Sequence, residues 1–282
     1  MACAPVRRSA TDVGSPEPSA DGRRPSGGPG ARSEAAEARA ARVVARPRLA
    51  LVAILVMQSL LMLDLGAVTI SVPAIRDGLG ASVSQLQFIL AIYSLAYAVT
   101  LVPGGRLGDL YGRRRVLLIG LGTSALASLV AAAAPSAGFV ITARLLAGLS
   151  AALVAPQVLA VIQVTFPPAD RPRALGLWAS AGAMGMVTGL VGAGLLVEVD
   201  VFGLGWRAVF VVEACIGVAA FALARTAIGE TRSGGRRALD LGGVGVLTGA
   251  LLLIVYPLIA ARTGGWRLSA FRDTRSDTFD AA

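Results

Sequence analysis

Seven apolar runs, each about as long as a bilayer core is thick, alternate with short polar segments through most of this chain. They extend from Leu49 to Ile75, Ser84 to Pro103, Val116 to Ala134, Phe139 to Val164, Ala174 to Val197, Trp206 to Ala224 and Leu241 to Ala261. The pattern predicts an all-α integral membrane protein. Pro73 is expected to end the first helix, because a proline nitrogen cannot donate the hydrogen bond that continues one. The polar segments alternate in charge. Arg106 with Arg113, Arg114 and Arg115, then Arg171 with Arg173, then Arg225, Arg232, Arg236 and Arg237 make every second segment basic. The segments between, at Arg76 and Asp77, Pro135 and Ser136, and Glu198 and Asp200, are neutral or acidic. Basic loops stay on the cytoplasmic side, so the N-terminus is expected in the cytoplasm and the seventh helix is expected to end outside.

The two ends differ from this pattern. Residues 1–46 are rich in Arg, Ala, Pro, Gly and Ser and hold no apolar run, which predicts a disordered cytoplasmic extension. The first apolar run starts too late and is too long for a secretory signal, and the scattered acids Asp12, Glu17, Asp21, Glu34 and Glu37 do not suit a transit peptide. Residues 226–261 divide into a cytoplasmic linker and the seventh helix, and residues 262–282 form a polar tail. That tail carries arginines on the side opposite to the basic loops, where a longer transporter would continue into another helix. A truncated chain is the expectation.

Composition narrows the class further. Of 282 residues, 55% are hydrophobic and only 15% charged, against about 25% charged in soluble domains. The net charge of +9 comes from arginines set between apolar runs, so it reads as an orientation signal and not as a nucleic-acid surface. The chain has no histidine and no lysine. A Walker A loop needs lysine and a serine–histidine pair needs histidine, so neither a Walker A ATPase nor a serine–histidine nucleophile fits. Zinc would need more than the two cysteines, Cys3 and Cys215, and these are placed too differently for a disulfide to be expected. No enzyme activity, metal or cofactor is expected.

Between the second and third runs lies Gly104-Gly105-Arg106-Leu107-Gly108-Asp109-Leu110-Tyr111-Gly112-Arg113-Arg114-Arg115. Its glycines suit a tight turn. Asp109 beside guanidinium groups can form charge-assisted hydrogen bonds that hold two helix ends together in one state and release them in another. The segment resembles the signature loop of the major facilitator superfamily, Gly-x-Leu-x-Asp-x-x-Gly-Arg-Arg, through Gly105, Leu107, Asp109, Gly112, Arg113 and Arg114. Leu110 stands where that family usually has a basic residue. The resemblance implies a gating loop on the cytoplasmic face, and a fold in which the first six helices, residues 47–225, form the N-terminal bundle.

Three ionisable residues lie well inside apolar runs: Asp64, Arg144 and Glu213. Each costs a few kcal/mol near a helix centre and is a functional candidate for that reason. At 1.5 Å of rise per residue, Asp64 sits about 16 Å below Ile75, Arg144 about 13 Å below Pro135, and Glu213 about 10 Å below Trp206. All three share one level, where opposite charges can pair. A carboxylate near an arginine in a low-dielectric cavity can switch between paired and protonated forms, which is the chemistry of proton coupling. A static buried salt bridge is the alternative.

The flanking residues resemble the drug:proton antiporters of the same superfamily, in the fourteen-helix branch. Leu63-Asp64 with Val68 to Ile75 is similar to that branch's first-helix motif, and Arg144-Leu145-Leu146-Ala147-Gly148 to its fourth-helix motif, whose arginine is implicated in proton coupling. Phe166-Pro167-Pro168 with Arg171 and Arg173, and Trp206-Arg207-Ala208-Val209-Phe210, are similar to its later segments. That branch commonly has asparagine where this chain has Glu213. In the fifth run, Gly182, Gly185, Gly189 and Gly192 fall on one helical face and resemble the antiporter motif, although Leu190 replaces the proline of its Gly-Pro pair. The alternative for this stripe is close helix packing. Gln58, Tyr93, Tyr97 and Gln157 offer polar or aromatic groups at membrane depth for a substrate pocket, or equally for packing. The resemblance implies proton-coupled efflux of an amphipathic or cationic drug across the cell membrane, with the bilayer, the drug and protons as partners and a second helical bundle missing. A non-transporting membrane fragment is the alternative; a polytopic membrane enzyme or sensor fits less well.

Overall fold

The computed structural model describes residues 47–230 and, beyond them, the helical positions Gly243, Val246, Gly249, Ala250 and Leu253. The N-terminal extension, the polar tail and most of the expected seventh helix lie outside the described residues. Six helices make up the described part: α1 (Pro47–Leu79), α2 (Val83–Tyr111), α3 (Arg113–Ala132), α4 (Ala137–Thr165), α5 (Arg171–Val199) and α6 (Arg207–Ala227). Each is long and apolar enough to cross a membrane. They follow the first six apolar runs closely, with a short 3-10 turn at Val201–Gly203 before α6.

Prolines account for the main departures. Helix α1 does not end at Pro73 but continues to Leu79, and α2 passes Pro103 in the same way. Proline removes one donor, yet the residues after it still donate to carbonyls one turn back. In a lipid phase no water would take up those groups, so finishing the helix is favoured over breaking it. The same holds for Pro156 in α4. Helix α2 therefore carries nearly the whole glycine-rich segment, and only Gly112 separates it from α3. Gly112 has φ +102°, a region L-residues rarely adopt, so the turn needs one glycine and not four.

Helix starts follow ordinary capping chemistry. The Ser82 hydroxyl accepts from the Gln85 amide at 3.3 Å, and the Ser82 amide donates to the Gln85 side chain at 2.9 Å. Helix α5 opens with Pro172 in its first turn.

Helix α1 packs along α5, α2 along α4, and α3 against α4 and α6. Small residues make these approaches close. A methyl added to Gly185 or Gly189 would collide with the α1 backbone at Ser59 or Leu63, and one on Gly66 of α1 would collide with Met186. The Ser59 hydroxyl donates to the Ala181 carbonyl at 3.0 Å across the same seam. Gly192 faces open space, and the buried small residue on that turn is Ala193. The α5 stripe is thus Gly182, Gly185, Gly189 and Ala193, set by contact with α1.

The buried apolar side chains fall into two main clusters. One joins Ile54, Met57 and Leu61 of α1 with Leu117, Leu121, Val154, Ile162 and Ala220. The other joins Val68 and Ile75 of α1 with Ile89, Val140, Trp206 and Phe210. Along α1, α4 and α6 the ionisable residues fall between these clusters.

Candidate functional site

Asp64 of α1 and Arg144 of α4 form a buried ion pair, Nη1 to Oδ1 at 2.5 Å, with side chains 14% and 3% exposed. Equal depth was the expectation for these two, and the fold brings them into contact. The Arg144 guanidinium also lies over the Tyr93 ring of α2, 4.4 Å from its centroid. Gly148, one turn along α4, makes this possible: the Tyr93 backbone rests where a side chain would otherwise stand. Tyr97 stacks parallel to Tyr93 at 6.5 Å, extending an aromatic wall from the charge. Such a face stabilises a cation when water is excluded.

Glu213 of α6 is buried and adjoins Asp64, Arg144 and the Ser128 side chain of α3. The Ser128 hydroxyl donates to the Ser124 carbonyl at 3.2 Å. Among the described residues, neither Glu213 oxygen has a hydrogen-bond partner, nor do Asp64 Oδ2 and Arg144 Nε. Buried polar atoms are normally paired, so four open positions in one place are unusual. Five helices supply this polar seam between two apolar clusters. Ser128 and the ring of Tyr93 as a cation platform were not foreseen as members of the charge site. A serine within an apolar run is a weak signal, and its position becomes informative only when α3 is placed beside α6.

The four residues considered for a substrate pocket divide. Tyr93 and Tyr97 belong to the charged seam. Gln58 lies against Gly182 at the α1–α5 contact. Gln157 is buried, and its amide donates to the Gly104 carbonyl at 2.9 Å, tying α4 to α2. Thirteen residues of helix, roughly 20 Å, separate it from Arg144. The structure does not bring these two glutamines to the seam.

A second, more open cluster surrounds the α2–α3 break. Arg113 donates to Asp109 at 3.0 Å from Nη2 and 3.3 Å from Nε, joining the last turn of α2 to the first of α3. Arg114 Nη2 donates to the Arg225 carbonyl near the end of α6 at 2.8 Å, and Arg115 approaches Glu230 at 4.0 Å. The Glu230 carboxylate lies where a Cβ on Gly112 would stand. The signature segment therefore ties α6 as well as α2 and α3. Gly105, Leu107 and Asp109 are helical residues of α2, and Gly112 alone is the turn. At the other end of the bundle, Arg207 Nη2 donates to the Ala134 carbonyl at 3.0 Å and its guanidinium covers the Trp206 ring at 4.4 Å.

Among the described residues no group of three or more His, Cys, Asp or Glu side chains is placed to hold a metal ion. The site offers charge and aromatic faces.

Residues 54–272 match the profile of the Major Facilitator Superfamily. The chain is 39% identical to the probable actinorhodin transporter of Streptomyces coelicolor over 74% of its own length and 36% of that protein's. It is 37% identical to the puromycin resistance protein of Streptomyces alboniger, covering 76% of this chain and 42% of that one. It is 34% identical to the tetracenomycin C resistance and export protein of Streptomyces glaucescens, covering 78% and 40%. The chain thus spans less than half the length of these curated relatives. Among solved structures, the fold is similar to a bacterial homolog of the human lysosomal transporter Spinster, inward-facing and unoccupied, with TM-score 0.60 at 19% identity over 69% of this chain and 46% of that one. It is equally similar to the peptide transporter POT in complex with sulfate, with TM-score 0.60 at 16% identity over 84% and 52%. At these identities the likeness concerns the fold.

Proposed function

The chain belongs to the major facilitator superfamily, a family of multi-pass membrane transporters and not of enzymes, and from that premise we propose that it supplies the first helical bundle of a proton-coupled exporter of amphipathic or cationic drugs. The observation that carries this reading is the buried Asp64–Arg144 pair beside the Tyr93 ring, inside helices built to cross a membrane. Relatives named for antibiotic resistance and export support a drug as cargo. A carboxylate held by a guanidinium gives up its proton readily, and a cationic drug competes for the same negative charge. Asp64 is the proposed coupling carboxylate, Arg144 its tuning partner, and the aromatic wall of Tyr93 and Tyr97 the nearest surface for a flat cation.

The driving force in this reading is the proton gradient, whose electrical part is worth about 2.3 kcal/mol per charge per 100 mV. Alternating access takes two bundles moving about a shared site, so the partner half is required for transport. The basic α2–α3 and α4–α5 connections support a cytoplasmic N-terminus and a cytoplasmic Asp109. Labelling from outside is expected to modify a cysteine placed at Asp200 and to miss one at Arg113; the reverse pattern excludes this orientation.

The decisive test uses a full-length transporter carrying this bundle, reconstituted in proteoliposomes. Asp64→Asn is expected to abolish drug accumulation driven by a pH gradient while leaving insertion intact. If that variant still concentrates drug on a proton gradient alone, the coupling site lies elsewhere. Asp109→Asn is expected to slow efflux without loss of expression, as a weakened gate would.

A further inference from the structure

The buried seam holds two carboxyl groups and one guanidinium, contributed by α1, α4 and α6. Arg144 has committed Nη1 to Asp64, and Glu213 has been left with both oxygens unpartnered. An ionised carboxylate buried without a partner costs far more than a neutral one, so such a group keeps its proton instead. The Asp64 carboxylate, which holds the guanidinium, adds repulsion of like charge. The charged groups that act on Glu213 are Asp64 from α1 and Arg144 from α4. Helix α3 offers the Ser128 hydroxyl and has its arginines in its first turn, α2 offers the Tyr93 ring stacked on Arg144, and the charges of α5 (Arg171, Arg173 and Glu198) lie at its ends.

Resting on the proton-coupling reading for its purpose but not for its test, we propose that Asp64 and Glu213 share Arg144 as a single counter-charge, so that the carboxyl group left without it holds a proton, and that Glu213 is the holder in the arrangement seen here. In this proposal the guanidinium, whose Nε has no partner here, changes partner by a side-chain movement. When it pairs with Glu213, the Glu213 O–H bond breaks and its proton leaves to water, while Asp64 takes up a proton from water. One proton departs, one arrives, and the three-residue cluster stays neutral throughout. Glu213 is thereby more than a spectator in a packed helix. It sets the alternative resting place of the arginine.

The purified 282-residue chain in detergent at neutral pH tests this by infrared spectroscopy. The carbonyl stretch of a protonated carboxyl group is distinct from the bands of ionised carboxylates, and carbon-13 in the side-chain carboxyl of either glutamate or aspartate assigns it. The wild-type chain is expected to show one such band, shifted by labelled glutamate and not by labelled aspartate. Glu213→Gln is expected to remove it. Asp64→Asn is expected to remove it too, because Arg144 is then free to pair with Glu213, an effect that simple packing would not produce. Absence of the band in the wild type, a shift with labelled aspartate, or persistence of the band in Asp64→Asn would each overturn the proposal. The labelling result needs no substitution, so misfolding of a variant cannot obscure it. Loss of the infrared signature leaves the exporter reading untouched, and failure of proton-driven efflux leaves the charge-sharing result standing.

Discussion

Asp64–Arg144 and Asp109–Arg113 are both carboxylate–guanidinium pairs, one joining helices 80 residues apart in sequence and the other spanning four residues across a helix break. The first has side chains 14% and 3% exposed, the second 50% and 18%. Chemistry that is nearly identical on paper therefore acts in two different dielectric settings. In the buried pair each ion depends on the other, because the guanidinium is almost wholly cut off from water and the carboxylate largely so. In the open pair water competes with each partner, and the backbone turn at Gly112 matters more than the charges. Burial, and not the count of ionic contacts, decides which arginine the fold cannot lose.

The largest expected effect lies in the buried pair. Arg144→Gln strands two carboxyl groups in an apolar interior, and breaking such a pair costs about 3–5 kcal/mol. Thermal unfolding in detergent is expected to show a large fall in melting temperature; an unchanged melt would mean the seam is hydrated. Next comes Gly112→Ala, which forces a side chain into φ +102° and against the Glu230 carboxylate. A cost of about 1–3 kcal/mol is expected, read by the same melt. Arg113→Gln follows, with a loss below about 1 kcal/mol, as for other solvent-exposed pairs. The smallest effect is that of salt. Added salt is expected to erase the difference between wild type and Arg113→Gln while leaving the Arg144→Gln difference in place, because screening reaches exposed charges first. Equal salt sensitivity of the two differences would abolish the distinction between the clusters.

Much of this arrangement was readable from residue order alone. The first six helices and their approximate ends follow from the apolar runs, and the common level of Asp64, Arg144 and Glu213 follows from counting residues along each helix. What residue order does not carry is the sideways partner. Gln157 suits a pocket or packing equally until α2 is seen to bring the Gly104 carbonyl to it. Gly192 shares the spacing of its neighbours yet faces open space, because the α1–α5 contact follows Ala193 on that turn. Arg114 reads as a topology charge, and only the fold reveals the Arg225 carbonyl it holds. Pro73 misled for a different reason. Its cost to a helix is judged from water, and the surroundings here are apolar.

Pro156 gives α4 a mechanical property. Lacking an N–H, it leaves the Ala152 carbonyl outside the helix ladder, and that oxygen abuts Gly104 of α2. A bend at this level has one hydrogen bond fewer to break than a bend elsewhere in α4. The Gln157 amide anchors the short arm of the helix to α2, while Arg144 rides on the long arm, twelve residues or about 18 Å away. A pivot of a few degrees at Pro156 moves the guanidinium by an ångström or so, about the difference between a hydrogen bond made and one lost. Any bend there would reach the guanidinium through a long lever, from a fulcrum packed against Gly104 and Gly105.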